Sequence, residues 1–165
     1  MKHFFYILIL FTLVACSSNS NDRGVYKKST QYVNLLDKSI PVVWRKINSE
    51  GADYALENKV TSSIFVFTSA CRNYDQSSLT NLTSSMLSSL GRPTVLEKRK
   101  LNHQGRESEI IKFQASVDGI TRYLYTLTLQ KNDCIYDYAL IATSLKNLDI
   151  DLEDFIRFSN AIVLK

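Results

Sequence analysis

The 165-residue sequence predicts an α+β domain. The expected architecture is an antiparallel sheet of about six or seven strands with two helices packed on it, in the order βββαββββα. Three observations carry this. Apolar residues alternate strictly through Ile111, Phe113, Ala115 and Val117, and again through Tyr123, Tyr125, Leu127 and Leu129, the period of strands with one buried face. Two other stretches have helical period: Leu79, Leu82, Met86, Leu87 and Leu90, then Phe155, Ile156, Phe158 and Ile162. Asp118-Gly119 lies between the two alternating runs, and a two-residue hairpin turn needs residues that tolerate positive φ. Strands joined by tight turns are antiparallel, and helices set apart from a meander pack on its face.

The elements follow in order. Residues 31–165 hold the domain, which begins near Tyr32. Val42, Trp44 and Ile47 make a short strand, Gly51-Ala52-Asp53 a turn, and Tyr54 to Asn58 a second strand. Ser63 to Thr68 is continuously apolar at its centre, as in a strand buried on both faces. Asp75, Ser77 or Ser78 caps the first helix, which Gly91 and Pro93 end. A strand from Val95 to Leu101 leads into a turn at Asn102-His103-Gln104-Gly105. Lys131-Asn132-Asp133 turns the chain again, and Cys134 to Ala142 reads as a central strand. Asp149 or Asp151 caps the last helix, with Glu153 and Asp154 suiting its positive N-terminal end.

Upstream of the domain, residues 1–15 have the layout of an export signal: Lys2 and the amino terminus, then an apolar run from Phe4 to Val14 broken only by Thr12. Eleven helical residues span about 16 Å, short of a bilayer core of roughly 30 Å, so this run is a signal core and not a spanning anchor. The run ends in Leu13-Val14-Ala15-Cys16, which resembles the lipobox of bacterial lipoproteins. That resemblance implies a diacylglycerol on the Cys16 thiol, cleavage just before it and acylation of the new amine. Acyl chains contribute about 0.8 kcal/mol per buried CH2, so more than one chain makes a lasting membrane anchor. Residues 16–30 are polar, without apolar period, and read as a flexible tether. Ser17 and Ser18 stand where an inner-membrane lipoprotein carries aspartate, so the expected location is the bacterial cell envelope, on the outer membrane facing the periplasm.

Loss of the first 15 residues leaves 150, one domain's worth of chain. It also removes Lys2 from a formal net charge of +4. The remaining charges are interspersed, and Lys98-Arg99-Lys100 is the only tight basic cluster. It reads as a solvated strand end, and no aromatic platform is interleaved with it, so no nucleic-acid partner is expected. In an oxidising compartment Cys71 and Cys134 read as a disulfide; the other reading is two separate buried thiols.

Chemistry finds little support. His103 is the single histidine beyond the signal, and it falls in a turn where no third group would orient it as a base. No G-x-S-x-G, Walker or G-x-G-x-x-G pattern occurs, and one histidine with two cysteines is too few for a structural zinc site. No metal or cofactor is expected. Asp137 lies inside an apolar strand, where it is outward-facing or hydrogen-bonded. Tyr123 and Tyr125 share one strand face, and Tyr136 and Tyr138 share another. Core packing is one reading of these four; a half-wet binding patch for a protein or lipid is the other.

The element order also resembles the Mog1/PsbP-like fold over about Pro41 to Leu164, with Trp44, the Ser63–Thr68 strand, the Asp118-Gly119 hairpin and the closing helix around Phe155 and Phe158 at comparable places. The resemblance implies a partner-binding or assembly role more than catalysis. The function expected is a non-enzymatic accessory or assembly factor that binds another envelope protein. The alternative is a small-ligand or lipid-binding module serving envelope lipid transport, and a hydrolase would need a constellation the sequence does not display.

Overall fold

The structure, a computed structural model, describes residues 29–36, 40–71, 78–117 and 119–165. The expected signal, Cys16 and most of the tether lie outside these residues, as do Asp75, Ser77 and Asp118.

The chain forms β1 (Tyr32–Asn34), β2 (Trp44–Lys46), β3 (Tyr54–Asn58), β4 (Ile64–Cys71), α1 (Leu79–Ser89), β5 (Thr94–His103), β6 (Arg106–Val117), β7 (Ile120–Lys131), β8 (Cys134–Ala142), α2 (Leu145–Ala161) and β9 (Ile162–Leu164). Seven strands make one antiparallel sheet in the order β2-β3-β4-β8-β7-β6-β5. The chain meanders from β2 to β4, crosses by α1 to the far edge, and meanders back until β8 pairs with β4. The predicted α+β class and the two helices are as expected. A separate two-stranded ribbon, β1 with β9, was not expected.

Turn chemistry explains the meander. Gln104 and Gly105 both have positive φ, as do Asn132 and Asp133, and Gly119 sits at φ 75° in the hairpin between β6 and β7. Paired positive φ values match the twist of the flanking strands, so each turn needs only two residues. The turn expected over four residues, Asn102 to Gly105, is therefore shorter, and β5 runs on through His103.

The two faces of the sheet are covered differently. On one face Phe65, Phe67, Tyr136, Tyr138 and Leu140 are fully buried beneath α2 and the ribbon, together with Phe155 and Phe158 of α2. Edge-on ring pairs at 5.3 Å join Phe158 to Phe65 and Phe155 to Tyr125. On the opposite face Val66, Ile111, Phe113, Leu124 and Ile141 pack with Met86, Leu87 and Leu90 of α1. β4 is thus buried on both faces, as its apolar run predicts.

The helix starts show local preference and its limits. Ser78, one of the three expected caps, accepts the Asn81 amide at 3.2 Å. In α2 the cap is Ser144, accepting the Asn147 amide at 3.1 Å, and not Asp149 or Asp151. Serine is as good a cap as aspartate, and Leu145 and Leu148 extend the helix upstream. Asp149 instead pairs with Lys112 on the surface, and Asp151 is buried. Ile162, expected on the helix, opens β9. There Gln104 holds the strand's backbone, its Nε2 donating to the Ile162 carbonyl at 2.8 Å and its Oε1 accepting the Leu164 amide at 2.9 Å.

Candidate functional site

The residues singled out from sequence take these places. Cys71 and Cys134 are directly opposite in the β4–β8 register and are disulfide-bonded. The four tyrosines lie on the α2-facing side of the sheet, but their partners across the β7–β8 pair are apolar: Tyr123 faces Ala142, Tyr125 faces Leu140, Leu127 faces Tyr138 and Leu129 faces Tyr136. Tyr125, Tyr136 and Tyr138 are buried and Tyr123 is half-buried beneath α2 and the ribbon, the arrangement of the core-packing reading of these four. The Tyr136 hydroxyl is 2.9 Å from Ser29 Oγ, and the Tyr125 hydroxyl accepts from Arg99 at 3.2 Å. The Tyr138 hydroxyl is buried without a hydrogen-bond partner among the described residues.

His103 is not in an exposed turn. As the last residue of β5 it points inward, only 7% exposed, with its ring 5.7 Å from that of Tyr138. Burial lowers its pKa, opposed by a hydrogen bond to the Ser159 backbone. The basic cluster on β5 is paired throughout: Lys98 with Glu109, Arg99 with Glu97 and Lys100 with Glu107. Such pairing leaves an alternating charged edge strand, which resists edge-to-edge association.

A polar row crosses the α1-facing side of the sheet where Glu109, Thr128 and Asp137 stand side by side on β6, β7 and β8. Glu109 is 2% exposed, held by Lys98 at 3.2 Å and by the Thr83 hydroxyl of α1. The carboxyl of Asp137 accepts from Thr128 Oγ1 at 2.6 Å. Desolvation raises its pKa above the ordinary carboxylate value, and that hydrogen bond opposes the rise. Both carboxylates were invisible as a pair, being 28 positions apart in sequence. Among the described residues no group of three or more His, Cys, Asp or Glu side chains is placed to hold a metal ion.

Among the described residues, the large apolar side chains most open to solvent lie near the Ile64 end of β4. Val42 is 91% exposed and Val60 is 77% exposed, with Val43 also open to solvent. The Lys59 amide donates to the Val43 carbonyl at 2.8 Å, continuing the β2–β3 pairing past Trp44 and Asn58 and bringing the backbones that carry these valines alongside each other. The turn that displays Val60 is tightly built. Asn58 Oδ1 accepts the amides of Val60 and Thr61, at 2.8 and 3.3 Å. Asp151 of α2 receives Asn58 Nδ2 at 2.8 Å and Thr61 Oγ1 at 2.5 Å, and Asn147 Nδ2 donates to the Thr61 carbonyl. Beside this latch, Trp44 Nε1 donates to Asp154 at 2.7 Å and its ring meets Phe158 edge-on. Exposed apolar side chains on a backbone already held in place lose little further entropy on binding. Ile150, next to Asp151 on α2, is exposed too, and Lys59 and Lys146 supply positive charge nearby in the chain. Periodicity could not reveal this tip, because its residues sit in turns.

No protein-family model and no curated protein sequence matches the chain. Solved structures do. The cyanobacterial PsbP of Synechocystis sp. PCC 6803 aligns with a TM-score of 0.59 at 11% identity, covering 90% of this chain and 98% of that one. A Pseudomonas aeruginosa protein of unknown function, PA94, aligns at 0.52 and 11% identity, covering 74% and 81%. LpqN of Mycobacterium tuberculosis, described as involved in cell envelope biogenesis, aligns at 0.50 and 13% identity, covering 87% of each. At these identities the likeness is one of fold, and the fold is the PsbP-like one expected from the element order.

Proposed function

We propose that this chain is a lipid-anchored envelope protein without catalytic activity that docks another envelope protein through the Val42–Val60 tip. The observation that carries the reading is the polarity of the domain. The described chain enters at Ser29, whose backbone amide and hydroxyl are bonded to Ser69 and Tyr136 near the Cys71–Cys134 end of the sheet. The valine tip lies at the Ile64 end of β4, away from that entry by most of an eight-residue strand, or roughly 20 Å at about 3.3 Å per residue. A domain tethered by one end presents the other to its surroundings. The lipobox-like Leu13-Val14-Ala15-Cys16 supports the anchor, and the Cys71–Cys134 bridge supports an oxidising compartment. The described envelope role of LpqN, a protein of the same fold, agrees with an accessory function in the envelope. Edge-on pairs of Phe65 with Phe155 and Phe158, and of Tyr125 with Phe155, pack α2 against the sheet, which favours a protein-docking module over a lipid carrier.

The test is crosslinking in intact envelopes from a photoreactive residue placed at Val60, with Cys16→Ala as the location control and Val42→Asp as the surface control. The expected result is one stoichiometric protein partner that is lost in both controls. Enriched phospholipid without a protein partner would sink this reading and put the lipid-binding module first.

A further inference from the structure

The ribbon of β1 and β9 has two faces of unexpected similarity. Its inner face, with Tyr32, Ile162 and Leu164, packs into the core, and Tyr32 meets Phe67 edge-on at 4.9 Å. Its outer face is apolar as well. Val33 and Val163 are direct cross-strand partners, and Leu35 continues the row, its amide donating to the Ala161 carbonyl at 2.9 Å. These three side chains are 37–42% exposed, and no described element covers them. A strand with one buried face ordinarily puts polar residues on the other.

We infer that this outer face lies against the bilayer that carries the protein's own lipid anchor. The inference rests on the anchor reading above. Position in the chain argues for it. Residues 17–28 are all that separates Cys16 from Ser29, and β1 begins three residues later. Twelve residues reach at most about 40 Å even fully extended, at roughly 3.3–3.6 Å per residue. The ribbon is therefore the described element with the shortest chain path to the membrane surface. Tethering raises the effective concentration of bilayer at the ribbon, so a small apolar patch suffices where it would not for a free domain. Charge agrees: Lys27 and Lys28 immediately precede the described chain, and Lys165 is exposed beside β9. A lysine beside a shallow apolar patch, with two more just upstream in sequence, suits an interface containing anionic lipid.

The docked ribbon also fixes orientation, because it holds the anchor-proximal part of the domain down and leaves the valine tip free.

The experiment uses the full-length protein purified from envelopes and reconstituted in vesicles of phosphatidylcholine with a quarter phosphatidylglycerol. An environment-sensitive fluorophore is attached through Val163→Cys, and in a second sample through Val42→Cys, the native pair being disulfide-bonded. Reconstitution should raise emission several-fold at position 163 and expose it to quenching by brominated lipid, with no change at position 42. Leu35→Glu should abolish the response at 163 while leaving the thermal melt intact. No lipid response at 163, or an equal response at 42, overturns the inference. A parallel sample tethered by an N-terminal hexahistidine to nickel-chelating lipid separates the two readings. A response there with no lipid on Cys16 by mass would refute the anchor alone, whereas lipidated Cys16 with a water-exposed 163 would refute the ribbon contact alone.

Discussion

Replacing Cys71 and Cys134 together by alanine removes a crosslink between residues 63 positions apart. In the chain-entropy description, releasing a loop of that length frees the unfolded ensemble by about 4 kcal/mol at 25 °C. The folded state should change little, because the two positions are already opposed in the ladder that pairs β4 with β8 over eight residues. The assay is urea unfolding followed by fluorescence of Trp44, the single tryptophan, which is 4% exposed and packed on Phe158. With a slope of about 2 kcal/mol per molar urea, the midpoint should fall by about 2 M. A fall below about 0.5 M, at unchanged slope and with the wild-type thiols shown to be oxidised, would refute the entropic account. It would mean that the hairpins of β5 to β7, all inside the closed loop, persist in the denatured chain and limit the freedom the bridge removes.

Three further outcomes follow from buried polar groups. Tyr138→Phe should raise stability by about 1 kcal/mol, since it deletes a buried hydroxyl that no described residue hydrogen-bonds while keeping the ring against Phe67; lower thermal stability would show that the hydroxyl is satisfied in solution. The Asp137 pKa is raised in the fold, so the native state binds its proton more tightly than the unfolded state, and its contribution to stability falls as pH rises above the ordinary value near 3.8. Asp137→Asn, which keeps an acceptor for Thr128, should therefore stabilise the domain at neutral pH and not at pH 3, as melts across that range would show. His103 has the opposite sign: its pKa is depressed from 6.5, so the unfolded state takes the proton first and stability is lost as pH falls below about 6.5. His103→Gln should flatten that acid limb, and an unchanged limb would show that His103 protonates freely in the folded protein.

Much of the fold was written in short-range pattern. Alternation in β6 and β7 marks one buried face, the stripe from Leu79 to Leu90 marks α1, and residues tolerant of positive φ mark the hairpins, because each of these depends on neighbours within a few positions. The misses share the opposite cause. β1 and β9 are three residues each, too short for a period, and exist as strands because the two chain segments meet. Asp149 and Asp151 have the composition of caps, yet the helix had already started at Ser144, and the position of the β3–β4 turn made Asp151 a buried latch. His103 looked exposed because the turn seemed four residues long; two fewer turn residues put it in a strand, pointing inward.

Sequence alone determined the α+β class, the antiparallel meander and the two helices, since local sterics and hydrophobic period need no distant partner. Tertiary structure decided the rest. It set Cys71 against Cys134, buried three of the four tyrosines in the core, paired every charge of the basic cluster, and left Val42 and Val60 exposed in turns on adjacent segments of chain. Each of these depends on which strands become neighbours, and that is settled by burying both faces of one sheet at once, not by any single stretch of chain.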